Sequence, residues 1–385
     1  MTQPTHSLRD DILDAYAAAL AAVEPAPLVK RAVRQGLLDD WLGNKERPTP
    51  IHVLALGKAA PRMAWGLLEA KVPFTGLGIA PVGSQVPKID GVRWVAGEHP
   101  IPGEQSFAAG AAILEWVDAL PDDAPVLVLL SGGASSLAEV AAPRVRREDL
   151  RALWADWLRQ GLGIDEMNAK RSKLSILKGG LLGERLLRIT PNLRVWLLAD
   201  AAPATAPAVV ASGPFWLAEQ PGRIAHHILA SNEDAVAAAG IRLANLGYQV
   251  FRHGRRIEAD AQSEVAGFLD AFAALPAGPV ALVGGGEAPV AVSEGAPPGG
   301  RCCHAALLAA NQMSERGLDA TFAAIATDGN DGSSGAAGAV TDKADANAKA
   351  AARFEAASRL NTLGRLVHAG PTGTNANDLW VALRR

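Results

Sequence analysis

Phe322-Ala323-Ala324-Ile325-Ala326-Thr327-Asp328-Gly329-Asn330-Asp331-Gly332-Ser333-Ser334-Gly335-Ala336-Ala337-Gly338 reads as a buried strand emptying into a glycine-rich turn. Two carboxylates and four glycines between Asp328 and Gly338 leave no continuous apolar face, so the segment offers backbone rather than packing. Glycine permits positive φ and close ligand approach, and successive exposed N–H groups form an anion-binding nest. A lone Asp-Gly pair is ordinary turn chemistry, but here the pattern recurs along the chain. The apolar run 51–56 leads into Gly57-Lys58-Ala59-Ala60, and 126–130 into Ser131-Gly132-Gly133-Ala134-Ser135-Ser136. Run 193–198 leads to Asp200, and 280–283 into Gly284-Gly285-Gly286-Glu287. Strands alternating with helical stretches predict an α/β fold with ligands beyond the carboxyl ends of the strands.

A chain of 385 residues exceeds what one core usually supports, which predicts two domains. The strand–helix pattern restarts at Ala225, with a strand expected at 228–230, a helix at 232–245 and a strand at 248–251, so the division is placed at 1–224 and 225–385. A net charge of −3 offers no basic face for nucleic acid, and small-molecule partners are expected. The only cysteines, Cys302 and Cys303, are adjacent, which excludes a disulfide framework and fits a reducing cytoplasm. No apolar run reaches the ~18 residues of a membrane helix. Ser7 is placed to cap an amphipathic N-terminal helix, followed by a proline-bearing linker at 43–50. Homo-oligomerisation stays open.

Lys58 sits where a helix N-terminus points its free N–H groups at an anion. It is not part of a P-loop, since His52 and Ala59 stand where glycine and Ser or Thr are needed. His99 lies in a rigid loop, Glu98-His99-Pro100-Ile101-Pro102, ahead of a helix expected at 105–119. Asn168 and Arg171 share a helix face. Asp200 at a strand exit suits a metal ligand or base, or a helix cap. Val290 to Val292 reads as the second arm of a hairpin, Arg301 opens a helix as an anion clamp, and residues 370–379 read as loop then helix. These groups suit phosphoryl transfer, which is mostly positioning and charge neutralisation around magnesium. No Gly-x-Ser-x-Gly elbow supports acyl transfer. The nearest approach to a dinucleotide fingerprint, Gly76-Leu77-Gly78-Ile79-Ala80-Pro81, ends in proline. Cys302-Cys303-His304 lacks zinc-finger spacing.

Nine motifs taken together resemble one family. They are Gly57-Lys58-Ala59-Ala60, Glu98-His99-Pro100-Ile101-Pro102, Ser131-Gly132-Gly133, Lys178-Gly179-Gly180, Ser212-Gly213-Pro214, Gly285-Gly286-Glu287, Gly299-Gly300-Arg301, Thr327-Asp328-Gly329-Asn330-Asp331-Gly332 and Gly370-Pro371-Thr372-Gly373-Thr374-Asn375. In that order they resemble the serial motifs of the MOFRL-type glycerate 2-kinases, over nearly the whole chain. The resemblance implies a Rossmann-like N-terminal domain with a mostly parallel sheet and a smaller α/β C-terminal domain with a mixed sheet. It implies phosphorylation of the 2-hydroxyl of D-glycerate by ATP with Mg2+ in the cleft between them. Lys58 and Arg301 would hold the substrate carboxylate or the migrating phosphoryl group, Asp328 would be the base and Asp200 the metal ligand, or the two aspartates exchanged. Gly57, His99, Ser131, Gly132, Gly133, Asn168, Arg171, Lys178, Glu287, Thr374 and Asn375 are the substrate- and phosphate-binding candidates.

The chain also departs from that pattern. Cys302-Cys303-His304 replaces Asn-Gln-Glu, Arg171-Ser172-Lys173-Leu174-Ser175 replaces Arg-Lys-His-Leu-Ser, and Ala201-Ala202-Pro203-Ala204 replaces Val-x-Gly-Asp and removes a carboxylate. Two alternatives follow. One is a related enzyme on another hydroxy acid, including the hydroxypyruvate reductase that the family is often labelled. The other is a non-catalytic paralogue that binds a nucleotide or sugar acid.

Overall fold

A computed structural model describes residues 7–42, 50–160, 162–292 and 295–385, and the linker expected at 43–50 lies outside these except for Pro50. Six parallel strands form the first sheet: β1 Ile51–Leu56, β2 Phe74–Pro81, β3 Val92–Gly97, β4 Val126–Ser131, β5 Leu193–Ala199 and β6 Ala225–Ser231. Their order is β3-β2-β1-β4-β5-β6, the doubly wound Rossmann order, whose direction reverses between β1 and β4. The second sheet holds β7 Gln249–Arg252, β8 Val280–Gly286, β9 Thr321–Ala326, β10 Gly338–Asp342, β11 Leu366–Val367 and β12 Asp378–Arg384, in the order β11-β10-β9-β12-β8-β7. Only its β7–β8 pair is parallel.

The two-residue period of a strand decides which face each side chain joins. Val53 and Ala55 of β1 enter one core while Leu54 and Leu56 enter another, and Leu379, Val381 and Leu383 of β12 are separated in the same way from Trp380 and Ala382. The first core is shared by both sheets. Between them it takes in the Leu8–Ala22, Pro25–Arg34, Ala60–Glu69 and Asn232–Asn245 helices. The expected N-terminal helix is present, with Ser7 and Asp10 in a reciprocal capping box. Tyr16 of that helix donates to the carbonyl of Ala326 at 2.9 Å, which ties the start of the chain to the end of β9.

Three expectations are corrected. Strand β6, beyond the expected division at 224/225, pairs with β5, so the break between the sheets falls after Ser231. Residues 290–292 form no second hairpin arm, because β8 is paired along both edges by β12 and β7. The C-terminal apolar run is strand β12 rather than a helix, held between β9 and β8. A run of five apolar residues carries no period that separates a buried strand from a helix.

Candidate active site

The carboxyl ends of the first sheet's strands meet one edge of the second sheet. In the second sheet Asp378 at the start of β12 pairs with both Gly286 and Ala326. That register brings Glu287, Asp328 and Asp378 to the same edge. From the first sheet come Lys58 after β1, His99 after β3, Gly132 and Gly133 after β4, and Asp200 after β5. The two sets touch: Lys58 Nζ donates to Asp328 Oδ2 at 2.7 Å.

Around the switch point the loops are stitched together by their own backbone. Lys58 N–H donates to the Gly132 carbonyl at 3.0 Å and Ala59 N–H to Ser131 Oγ at 3.0 Å. Gly57 is at φ +127° with no room for a Cβ, which would stand 2.3 Å from Ser131 Oγ. Gly132 is equally confined, since its Cβ would lie 2.0 Å from Asp200 Oδ2 and 2.2 Å from Asn375 Nδ2. Gly133, at φ +81°, lies against the side chains of Lys58 and His99. Lys58, His99, Gly132, Gly133, Asp200, Asp328 and Asn375 therefore surround one space.

On the second-sheet side, Asp328 Oδ1 accepts the Asn330 N–H at 2.9 Å, so one oxygen is fixed by the turn and the other by Lys58. The Asp331 carboxylate is fully buried and accepts the N–H groups of Cys302 and Cys303 at 2.9 and 2.8 Å. It thereby caps the first turn of the helix Arg301–Arg316. Arg301 is gripped by both oxygens of Asp378, at 2.6 and 2.8 Å, and by Glu287 at 3.0 Å. Burial opposes the guanidinium charge, but Asp378 and Glu287 outweigh it and hold Arg301 well above its ordinary range.

Asp200 is the most perturbed carboxyl facing the first sheet's loops. Burial, then the charge of Glu287, push its pKa up to about 6 against the opposing pull of Lys58 and Arg256. Its backbone carbonyl is clamped from the second sheet's side by Arg256 Nη2 at 3.2 Å and Asn377 Nδ2 at 2.5 Å. His99 is open to solvent along the cleft. Desolvation by surrounding protein, then the charges of Lys58, Arg171 and Arg301, hold it well below its usual range, as a neutral imidazole.

Several expected ligands are otherwise engaged. Ser131 is fully buried against Ala59, Ser136 Oγ donates to the Gly133 carbonyl, and Ser135 Oγ meets Ser212 Oγ at 2.7 Å, so the three hydroxyls brace loops. Asn168 donates to the Val209 carbonyl and accepts from Ser212. Thr374 Oγ1 donates to the Val23 carbonyl at 2.7 Å in the interior. Lys178 is buried against Glu139 at 2.5 Å. Cys302 and Cys303 face the second sheet's core, and His304 stacks on Phe354 with ring centroids 5.3 Å apart. That departure from the family pattern therefore lies in packing. Sequence reading missed Asp378, Arg256, Asn377 and Glu139, whose contacts with Arg301, Asp200 and Lys178 join segments remote in the chain; a charged residue at the start of an apolar run is the one signal that could have pointed to Asp378.

Glu287 lies close enough for its charge to help raise the Asp200 pKa. Among the described residues no group of three or more His, Cys, Asp or Glu side chains is placed to hold a metal ion.

Residues 11–239 match the family model described as "Domain of unknown function (DUF4147)", and residues 280–378 that of the MOFRL family. A D-glycerate 2-kinase from Thermotoga maritima is 29% identical over 383 residues, covering 86% of this chain and 90% of that protein. A glycerate 2-kinase from Pyrococcus horikoshii is 25% identical, covering 95% and 94%. A crystal structure of a Thermotoga maritima glycerate kinase superposes with a TM-score of 0.76 at 26% identity, over 97% of this chain and 99% of that one. The chain belongs to the MOFRL-type glycerate kinase family.

Proposed function

We propose that this chain is an ATP-dependent kinase that phosphorylates the 2-hydroxyl of D-glycerate, with Asp328 as base and Lys58 as the cation beside it. The observation that carries this reading is the 2.7 Å contact between Lys58 and Asp328, which joins the switch-point loop of one sheet to the glycine turn of the other. Asp328 accepts the 2-hydroxyl proton as that oxygen attacks the terminal phosphorus of ATP. The bond from phosphorus to the bridging oxygen breaks, and ADP leaves. Lys58, standing beside the reacting oxygen, offsets the charge on the transferring group, and Arg301, locked by Asp378, holds a second positive charge at a fixed place. Fixed positioning of this kind is most of what a kinase needs from its protein.

Asp200, with Glu287 nearby, is the position we assign to Mg2+, which when bound neutralises phosphate oxygens. Gly132 keeps the floor of the site open beside Asp200, and neutral His99 is available as a hydrogen-bond partner for substrate. The hydride-transfer alternative is not favoured. Gly76 and Gly78 lie inside β2, where a Cβ would meet the Val53 carbonyl at 1.9 Å or the Trp94 ring at 2.2 Å. They serve strand packing, not a cofactor turn. Purified protein supplied with Mg-ATP and D-glycerate should release ADP, and phosphorus NMR of the product should show the ester at C2. An ester at C3, or NAD(P)H consumption with hydroxypyruvate and no ADP, would refute the assignment.

A further inference from the structure

The cations around the cleft are neutralised by protein groups, with one exception. Lys58 pairs with Asp328, Arg301 with Asp378 and Glu287, Lys178 with Glu139, and Arg256 with Glu258. Arg171 has neither a carboxylate partner nor a protein hydrogen bond among the described residues, although it is only 8% exposed. Its guanidinium carbon lies 3.8 Å from the centre of the Trp154 ring, and its Nε is buried without a partner. Trp154 is itself 1% exposed, within an apolar cluster that includes Phe107, Leu150 and Trp157. Burial lowers the Arg171 pKa to about 10, partly offset by the more distant charges of Glu139 and Glu287, so it remains cationic at neutral pH. Three residues earlier on the same helix, Asn168 accepts from Ser212 Oγ, which meets Ser135 Oγ of the loop after β4 at 2.7 Å, so the helix abuts the Gly132-Gly133 side of the cleft, and the charge of Arg171 acts on His99 there.

An unpaired charge held in an apolar wall is costly unless something completes it. The helix that carries it is fixed: Asn168, one turn earlier, is tied to Val209 and Ser212. We propose that Arg171 anchors the carboxylate of the hydroxy-acid substrate, making the site selective for short 2-hydroxy acids over neutral polyols. This rests on the kinase reading above. A single planar fork backed by an aromatic face matches one carboxylate bidentately. A triphosphate needs many donors, and those are gathered on other segments, at Gly57-Lys58, at Gly132-Gly133 and at the helix start beside Arg301.

The test compares wild type with Arg171→Gln and Arg171→Lys in two assays, ADP release and calorimetric titration with D-glycerate. Arg171→Gln should raise both the KM and the dissociation constant for D-glycerate about tenfold to hundredfold. The KM for ATP should stay within about twofold, and the preference for D-glycerate over glycerol should collapse. Arg171→Lys, which keeps the charge over the ring but loses the fork, should fall between, and decides the matter if the glutamine variant fails to fold. Unchanged D-glycerate affinity, or a loss confined to ATP, would overturn the anchor. Binding of D-glycerate that depends on Arg171 but yields no ADP would keep the anchor and remove the kinase; ADP formation at an unchanged KM in Arg171→Gln would do the reverse. Wild type that neither binds nor turns over D-glycerate would remove both.

Discussion

Replacing Lys178 by Met should cost stability rather than ATP binding. Lys178 and Glu139 are 2% and 1% exposed and meet at 2.5 Å, with Ser175 Oγ donating to the second oxygen of Glu139 at 2.5 Å. Removing one partner of such a pair strands the other charge in a medium that cannot solvate it, at about 3–5 kcal/mol. Glu139 keeps Ser175 and the Val140 N–H, so Lys178→Met should lie near the lower end, about 3 kcal/mol. Glu139→Gln strands the ammonium instead. Burial already lowers the Lys178 pKa while Glu139 raises it. Without Glu139 its folded value falls further below the unfolded one, so folding releases a proton and the deficit shrinks as pH rises. The double variant Lys178→Met/Glu139→Gln should regain most of the loss, because no unpaired charge remains. Urea unfolding followed by circular dichroism, with the ATP KM measured in parallel, provides the assay. Wild-type unfolding of Lys178→Met combined with a raised KM for ATP would refute this reasoning and make Lys178 a phosphate ligand.

Three other outcomes follow from the same geometry. Gly132→Ala puts a methyl 2.0 Å from Asp200 Oδ2, and should lower kcat by about a hundredfold, the usual consequence of shifting a positioned group by an ångström, together with about 1–3 kcal/mol of stability lost to overpacking. Arg301→Met should destabilise more than Asp378→Asn. The first leaves a carboxylate that is 1% exposed without its fork, at about 3–5 kcal/mol, and the second leaves a part-exposed guanidinium that still has Glu287. Burial raises the Asp378 pKa and Arg301 lowers it, so the Arg301→Met deficit should shrink as pH falls and Asp378 protonates. In chelator, Asp200→Asn should stabilise the protein by about 3 kcal/mol at pH 8, since its pKa is raised by roughly two units, each worth about 1.4 kcal/mol. Its raised pKa, about 6, means that the ionised form disfavours the fold above that pH; the gain should vanish below about pH 4, where folded and unfolded carboxyls are both protonated. Thermal melts across pH would read it, and no gain at pH 8 would show that Asp200 is better solvated than its burial implies.

How much of this was legible in the sequence differs from residue to residue. Lys58, Gly132 and Asp200 could be placed because each follows an apolar run at a strand exit, and a parallel sheet delivers such exits to one edge. Gly132 and Gly133 could be recognised as backbone positions, although what crowds them, Asp200, Asn375 and His99, comes from three other segments. Ser131 and Thr374 looked like ligands because a hydroxyl beside glycine has the same local appearance whether it faces substrate or braces a loop. Lys178 misled for a similar reason, since its partner Glu139 sits on a separate loop. The paired roles of Arg301 and Asp378 depend on β12 lying between β8 and β9, and the apolar run from Leu379 has no period that announces a strand. The departures at Cys302 to His304 looked like changes in substrate recognition until the helix showed its first turn capped by Asp331 and its cysteines in the core.

The central claim is that Asp328 takes the 2-hydroxyl proton with Lys58 beside it. The direct measurement is ADP release with Mg-ATP and D-glycerate by wild type, Asp328→Asn and Lys58→Ala, each shown to be folded by circular dichroism. Loss of a general base costs about 10²- to 10⁴-fold. The account predicts a fall of that size in kcat for Asp328→Asn with little change in the KM for ATP, and a comparable loss for Lys58→Ala. Near wild-type turnover in Asp328→Asn would contradict it and transfer the base role away from the turn after β9.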